Sequence, residues 1–240
     1  MTTPPLLEIK ELSTHFVSAA GTRVVRAVNE VSFTLRAGET LGIVGESGSG
    51  KSTLALTILR LLPPAARIVQ GQINFEGENL LDKSPAEMQH IRGKRIAMIL
   101  QDPMASLNPL FTIGDQVAEP MRVHEHMKRG GAWTRAKELL GAVRISAPET
   151  RVGEYPHQMS GGMRQRIVGA IAISCEPALL IADEPTTSLD LTIQAQYLNL
   201  LSELQKRYHL ALIFITHNLG IVAKMCDKVA VMYGGRMVES

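Results

Sequence analysis

Aromatic side chains are scarce in this 240-residue sequence, at 4%, and cysteine occurs only as Cys175 and Cys226. Two thiols cannot build a disulfide framework or complete a four-cysteine zinc site. A reduced, cytosolic setting is therefore the expectation. Long apolar runs are missing as well, since the hydrophobic stretches fall well short of the roughly 20 residues of a membrane-spanning helix. The N-terminal MTTPPLLEIKEL has Pro and Glu where a signal peptide has a basic end and an apolar run. A formal charge of +2 offers no bulk attraction for nucleic acid, and no nucleic-acid partner is expected. No internal repeat or low-complexity tract stands out. The sequence is rich in aliphatics: 45% of residues are hydrophobic, Met contributes 11, and 20% are charged. This is the composition of a folded unit of one or two domains with an aliphatic core.

The hydrophobic pattern then locates the elements. LLEIKEL and VSFTLRAGE alternate apolar and polar residues, which predicts half-buried strands. LGIVG at 41–45 is a continuous apolar run, as for a strand covered on both faces. A helix pattern runs from Ser52 to Leu62 and stops at Pro63-Pro64. QGQINFEGENL and RIAMILQ (95–101) predict two more strands. From Asp102 to about Ser174 the pattern is mainly helical, punctuated by Pro103, Pro109, Pro120, Gly130-Gly131, Pro148 and Pro156. ALLIAD (178–183) and ALIFIT (211–216) are buried-strand candidates separated by a helix at 192–208, an arrangement that predicts parallel strands. KVAVMYGGRMVE predicts a hairpin turning at Gly234-Gly235. The expected architecture is an α/β core interrupted by a helical insertion.

Residues 45–52, Gly45-Glu46-Ser47-Gly48-Ser49-Gly50-Lys51-Ser52, fit G-x-x-x-x-G-K-[ST] at every fixed position. Glycines let such a loop curl so that its backbone N–H groups converge on phosphate oxygens, and the following helix adds its positive N-terminal end. Lys51 is a point charge for the β- and γ-phosphates, and the Ser52 hydroxyl is a ligand for Mg2+. The loop lies between a buried strand and a helix, the context that separates this motif from an ordinary Gly/Ser loop.

Strand ends supply the remaining chemistry. Asp183 closes ALLIAD and is suited to hold Mg2+ directly or through water, while Glu184 is placed to polarise the attacking water. His217 follows ALIFIT, where it can hydrogen-bond a γ-oxygen or the water, because ligand groups collect at the carboxyl ends of parallel strands. Gln101 follows RIAMIL and can reach Mg2+ or water as a neutral group.

Ser160-Gly161-Gly162-Met163-Arg164-Gln165 completes the pattern. With it the sequence resembles the ATPase subunit of an ATP-binding cassette (ABC) transporter over nearly its whole length, with the motifs in the family's order. The resemblance makes Gly45 to Ser52 the Walker A, Gln101 the Q-loop, Ser160 to Met163 the signature, Asp183 and Glu184 the Walker B with its catalytic Glu, Ser188-Leu189-Asp190 the D-loop, and His217 the switch histidine. The implied fold is α/β, a P-loop NTPase (RecA-like) core with an N-terminal antiparallel β subdomain and an inserted α-helical subdomain. Core and β subdomain would take 1–101 and 175–240, and the helical subdomain 102–174.

The implied catalytic residues are Glu184, His217, Lys51 and Gln101. Nucleotide contacts would come from Gly45 through Thr53, from Phe16 stacking on adenine, and from Ser160, Gly161, Gly162 and Asp190. Mg2+ would be held by Ser52, Gln101 and Asp183. Ser160 is a natural helix N-cap, and the glycines leave the first turn open to an anion. In the family this turn meets the γ-phosphate of ATP held by a second cassette, identical or paralogous, so that two ATPs are sandwiched head to tail.

VVRAVNEVSF, QDPMASLNP, YPHQMSGGMRQR and ADEPTTSLDLTIQAQ are similar to the oligopeptide/dipeptide (and nickel) importer subgroup. That implies two transmembrane permease subunits, an extracytoplasmic solute-binding protein, and a place on the cytoplasmic face of a bacterial or archaeal membrane. The subgroup usually carries a further C-terminal segment with clustered cysteines, which is expected to be missing from a sequence that stops at Ser240. The rival is a soluble cassette ATPase acting as a mechanical switch, but such chains usually have tandem cassettes or a long coiled-coil insertion. His124 and His126 invite a metal reading, although residues two apart diverge on a helix. Trp133 is expected to pack at a helix start, the cysteines to be core thiols in helical surroundings, and the basic residues Lys128 to Lys137 to form a solvated helix face.

Overall fold

Alternating and continuous apolar runs become strands, and capped polar starts become helices, in the computed structural model, which describes residues 4–19, 21–187 and 189–239. In chain order the elements are β1 (Leu7–Val17), β2 (Val24–Leu35), β3 (Thr40–Val44), α1 (Lys51–Ile58), β4 (Ala66–Phe75), β5 (Glu78–Asn79), α2 (Pro85–Ile91), β6 (Ile96–Ile99), α3 (Pro103–Ser106), α4 (Ile113–His124), α5 (Arg129–Ala142), α6 (Pro148–Arg151), α7 (Gly161–Ile173), β7 (Leu179–Asp183), α8 (Leu191–Tyr208), β8 (Ala211–Thr216), α9 (Leu219–Met225), β9 (Lys228–Tyr233) and β10 (Arg236–Glu239). They form two compact units. One is the chain up to Gln89 together with the segment from Ala211 onward, and the other is His90–Leu210.

In the first unit, an antiparallel sheet runs in the order β2-β1-β4-β5. Bulges interrupt its register where Glu11, Glu30 and Gly71 take positive φ. Gly71 is required sterically, because a Cβ there would lie 2.5 Å from the Cα of Leu12. Separately, β3 runs between β8 and β9, parallel to both, and β10 turns back antiparallel beside β9. Every residue of β3 and β8 is buried, which explains their unbroken apolar runs. α1 buries Leu54, Ala55 and Ile58. Its Thr57 hydroxyl donates to the Thr53 carbonyl at 2.7 Å and shares a 3.1 Å hydrogen bond with Thr14 of β1, so this buried polar pair is satisfied.

In the second unit β6 and β7 pair in parallel, and β7 is wholly buried. The helices α3 to α7 occupy the stretch that reads as helical. α4 starts at Thr112, whose hydroxyl accepts from the Asp115 N–H at 3.1 Å. Trp133 lies in the first turns of α5 against Gly114 of α4, where a Cβ would stand 2.7 Å from the indole ring. The basic residues of α5 are paired with acids: Arg129 with Asp115, Arg135 with Glu138 and Glu176, and Lys137 with Glu149. Among the described residues no helix is long and apolar enough to cross a membrane.

Three local expectations need correction. The helix predicted to reach Leu62 ends at Ile58; Arg60 turns to φ 52, and the restriction that Pro63 places on the residue before it keeps the chain extended. His126 is not helical, since α4 ends at His124 and His126 takes φ 55 in the loop beyond. Cys226 also lies outside a helix, following α9 in an extended conformation with its sulfur against Gly42 of β3. Burial pushes its thiol up to about 12, so it stays protonated.

Leu54 is fully buried in α1, directly behind the 45–50 loop. Replacing it with Ala is expected to cost about 2–5 kcal/mol of stability, read as a lowered midpoint in urea unfolding at unchanged slope.

Candidate functional site

The first unit presents a strand–loop–helix cradle. Parallel pairing sets Val44 opposite Thr216, so the 45–50 loop and His217 leave β3 and β8 at the same carboxyl end. Gly50 stands at φ 104 as the residue before α1, and a Cβ on it would lie 2.0 Å from the Ala27 carbonyl oxygen, which only glycine tolerates. No side-chain hydrogen bond caps the start of α1, so no cap offsets the positive end of its helix dipole there. Lys51 is 4% exposed. Its Nζ donates to the Gly45 and Glu46 carbonyls at 2.8 and 2.7 Å and to Ser49 Oγ at 3.2 Å. An ammonium pinned inside a curl of backbone beside an uncapped helix start is a phosphate-receiving arrangement.

Glu46, Ser47, Gly48 and Ser52 are exposed and Thr53 half-buried. His217 is exposed between β8 and α9, whose start is capped by Asn218 Oδ1 accepting from Gly220 N–H at 2.9 Å. Asn at this position caps as Asp would. Phe16 sits half-buried on β1, opposite Val25 on one side and Ala66 on the other.

The second unit carries the acidic group. Ile99 of β6 is opposite Ala182 of β7, so Gln101 and the Asp183-Glu184 pair leave at one strand end. Gln101 Nε2 donates to Glu184 Oε2 at 3.2 Å. Thr187 Oγ1 donates to the same oxygen at 2.9 Å, a contact the motif reading missed although a hydroxyl three residues after an acid in a turn is its signal. Glu184 holds φ 45, a strained backbone position for a non-glycine residue. Asp183 is buried at the end of β7.

Two further helix starts lie in this unit. Ser160 Oγ accepts from the Met163 N–H at 3.3 Å and opens α7. Asp190 opens α8 with its carboxylate accepting from Thr192 and Ile193 N–H at 3.1 and 3.0 Å. Ser160, Gly161, Gly162 and Arg166 of α7 and Asp190 and Ile193 of α8 line an open groove of about 430 Å³. Arg166 was not foreseen there, and nothing local distinguishes it from neighbouring arginines. Of the D-loop, Leu189 and Asp190 are placed, while Ser188 lies outside the described residues.

The parallel strands ending in a lysine-bearing phosphate loop define an α/β nucleotide-binding protein of the P-loop class. The family model described as ABC transporter matches residues 28–187. The chain is 54% identical over 235 residues to the probable peptide ABC transporter ATP-binding protein y4tR of Sinorhizobium fredii, covering 98% of this chain and 70% of that protein. It is 52% identical to the oligopeptide transport ATP-binding protein OppD of Bacillus subtilis, covering 98% of this chain and 65% of that one. The chain thus spans about two thirds of the length of these curated relatives. Among solved structures, the dimeric post-hydrolysis state of the ATP-binding cassette MJ0796 bound to ADP and Pi superposes with a TM-score of 0.85 at 25% identity, covering 97% of both chains. The chain belongs to the ABC transporter family, as an ATP-binding cassette.

Gly50→Ala should break the cradle while sparing the rest of the first unit. ATP affinity, measured with a fluorescent analogue, should fall at least about tenfold, with far-UV circular dichroism unchanged.

Proposed function

We propose that this chain binds and hydrolyses ATP to power the uptake of peptides or related small solutes through a membrane permease. The observation that carries the reading is a pair of helix starts in one chain that no charged side chain caps, α1 behind Lys51 and α7 behind Ser160. A single nucleotide needs one such cradle, whereas two copies arranged head to tail use both. The names of the relatives, oligopeptide and peptide transport ATP-binding proteins, support the solute class.

Each residue then has a task. The loop from Gly45 to Thr53 binds the phosphates, with Lys51 turning from its carbonyl partners to phosphate oxygens, and Phe16 stacks on the base. Ser52 and Asp183, with Gln101, each carry a hard oxygen donor of the kind Mg2+ prefers, and they are the residues proposed to hold that ion. Mg2+, when bound, neutralises phosphate charge. Glu184 orients or deprotonates the attacking water, and its contacts with Gln101 and Thr187 hold the carboxylate in place. His217 stabilises charge on the γ-phosphate. Ser160, Gly161 and Gly162 receive the γ-phosphate of nucleotide on a second cassette, identical or paralogous, and Asp190 contributes by fixing the start of α8 beside them.

The start of the helical stretch 102–174, following Gln101, is the proposed receiver of a permease coupling helix, and the two permease subunits are met on the cytoplasmic face of the membrane. An extracytoplasmic solute-binding protein delivers the cargo.

Glu184→Gln should retain ATP binding while hydrolysis falls by about 10²–10⁴-fold; near-normal turnover would remove Glu184 from its role. Affinity purification from detergent-solubilised membranes of the source cell should recover two polytopic membrane proteins. Recovery of ribosomal or DNA-repair proteins alone would overturn the importer reading and leave the ATPase chemistry standing.

A further inference from the structure

Gly235, in the turn between β9 and β10, joins the 45–50 loop to β2. Its N–H donates to the Ser49 carbonyl at 3.0 Å, and its own carbonyl accepts from the Asn29 N–H at 2.7 Å. Gly235 and Ser49 are both buried, so water does not compete for the bond between them. The approach is close: a Cβ on Gly235 would stand 2.6 Å from the Arg26 carbonyl oxygen. The same hairpin presses on both ends of the loop. A Cβ on Gly45 would lie 2.1 Å from the Met232 carbonyl oxygen, and one on Gly50 would lie 2.8 Å from the Met232 methyl.

The next residue fastens the turn from outside. Arg236 donates from Nε and Nη2 to the Asn29 side-chain oxygen at 2.7 and 3.0 Å, with the amide turned to face it. Its Nη2 also lies 3.4 Å from Glu30 Oε2. β2 and β10 belong to different sheets, so these contacts hold the turn against β2 where no strand ladder does.

Peptide planarity converts that placement into chemistry. The Ser49–Gly50 peptide is trans, and in a trans peptide the C=O and N–H point in opposite directions. Holding the Ser49 carbonyl on Gly235 therefore aims the Gly50 N–H away from the hairpin. The Gly50 carbonyl is held in turn, accepting from the Leu54 N–H at 2.8 Å. A donor that is already aimed needs no ordering when its ligand binds, and loosening its support lowers affinity. We propose that Gly235 and Arg236 are positioning residues for nucleotide binding: the β9–β10 turn, clamped to β2, sets the Ser49–Gly50 peptide in the orientation that receives phosphate before nucleotide arrives. The inference rests on the phosphate-binding reading of the 45–53 loop and adds to it residues from the far end of the chain.

Arg236→Met keeps the apolar stem and removes the clamp at an exposed position. In the purified full chain the Kd for ADP, measured by titration calorimetry, should rise about three- to fivefold. The thermal midpoint without nucleotide should stay within about 2 °C of the wild type. Arg236→Lys keeps the charge and should hold the Kd within about twofold. Gly235→Ala displaces the turn itself and should weaken ADP at least about tenfold. As a direct readout, the chain can be labelled with 15N-glycine. The resonance that Gly235→Ala eliminates should exchange its proton slowly and shift on adding ADP, and it should exchange faster in Arg236→Met. Wild-type ADP affinity in Arg236→Met would make the turn an ordinary hairpin and overturn the proposal, leaving the ATPase reading intact. A wild-type chain that binds no ADP overturns the phosphate-binding reading, and the proposal with it.

Discussion

A buried ammonium is the constraint on which the first unit depends. Removing the charge of Lys51 from water is costly unless oxygen atoms surround it, and here two backbone carbonyls and one hydroxyl do so within 3.2 Å. Carbonyls can converge on one point only if the chain curls tightly, and the curl in turn demands glycine at Gly50, where the backbone runs against the Ala27 carbonyl. The curl must also be anchored. β3 supplies that anchor because every one of its residues is buried and it is held on both sides by parallel neighbours. The same stack of β3 on β8 delivers His217 to the loop's end of the sheet without any further device.

Helix starts express the same economy of polar groups in three different ways. α1 has no side-chain cap and starts at a lysine, so its beginning is the most positive of the three. α7 is capped by a neutral serine hydroxyl with two glycines behind it, which leaves the turn sterically open and uncharged. α8 is capped by a carboxylate that accepts two of its N–H groups, so its start is already neutralised and takes a structural part beside the groove. Which helix end is suited to an anion is therefore decided by what the chain itself has already placed there.

Much of this was legible in the amino-acid order because it is local. ALIFIT matches β8 residue for residue, and the Gly234-Gly235 turn joins β9 to β10 as its composition implies. The phosphate loop, the cap at Ser160 and the acids at the end of β7 each lie within a few residues of the signal that marks them. Local signals failed where a neighbour overrode them. α1 stops four residues early through a left-handed Arg60 ahead of two prolines, and His126 leaves the helix that its polar surroundings imply.

What the sequence alone determined is the class of chemistry: a phosphate loop, an acid suited to a metal, a candidate base and a second helix start opened by Ser and two glycines, each a short contiguous motif whose backbone geometry follows from its own residues. Only the tertiary structure decided which of them touch. Gln101 reaches Glu184 across 83 positions of sequence, and it does so because β6 and β7 pair in parallel with Ile99 opposite Ala182. Tyr197 and Ile193 of α8 pack against α7 at Gly169 and Gly162, where a Cβ would stand 3.4 and 2.8 Å from them. Periodicity records which face of an element is apolar, but the register and spacing between two elements arise from packing between distant segments, and no local pattern encodes them.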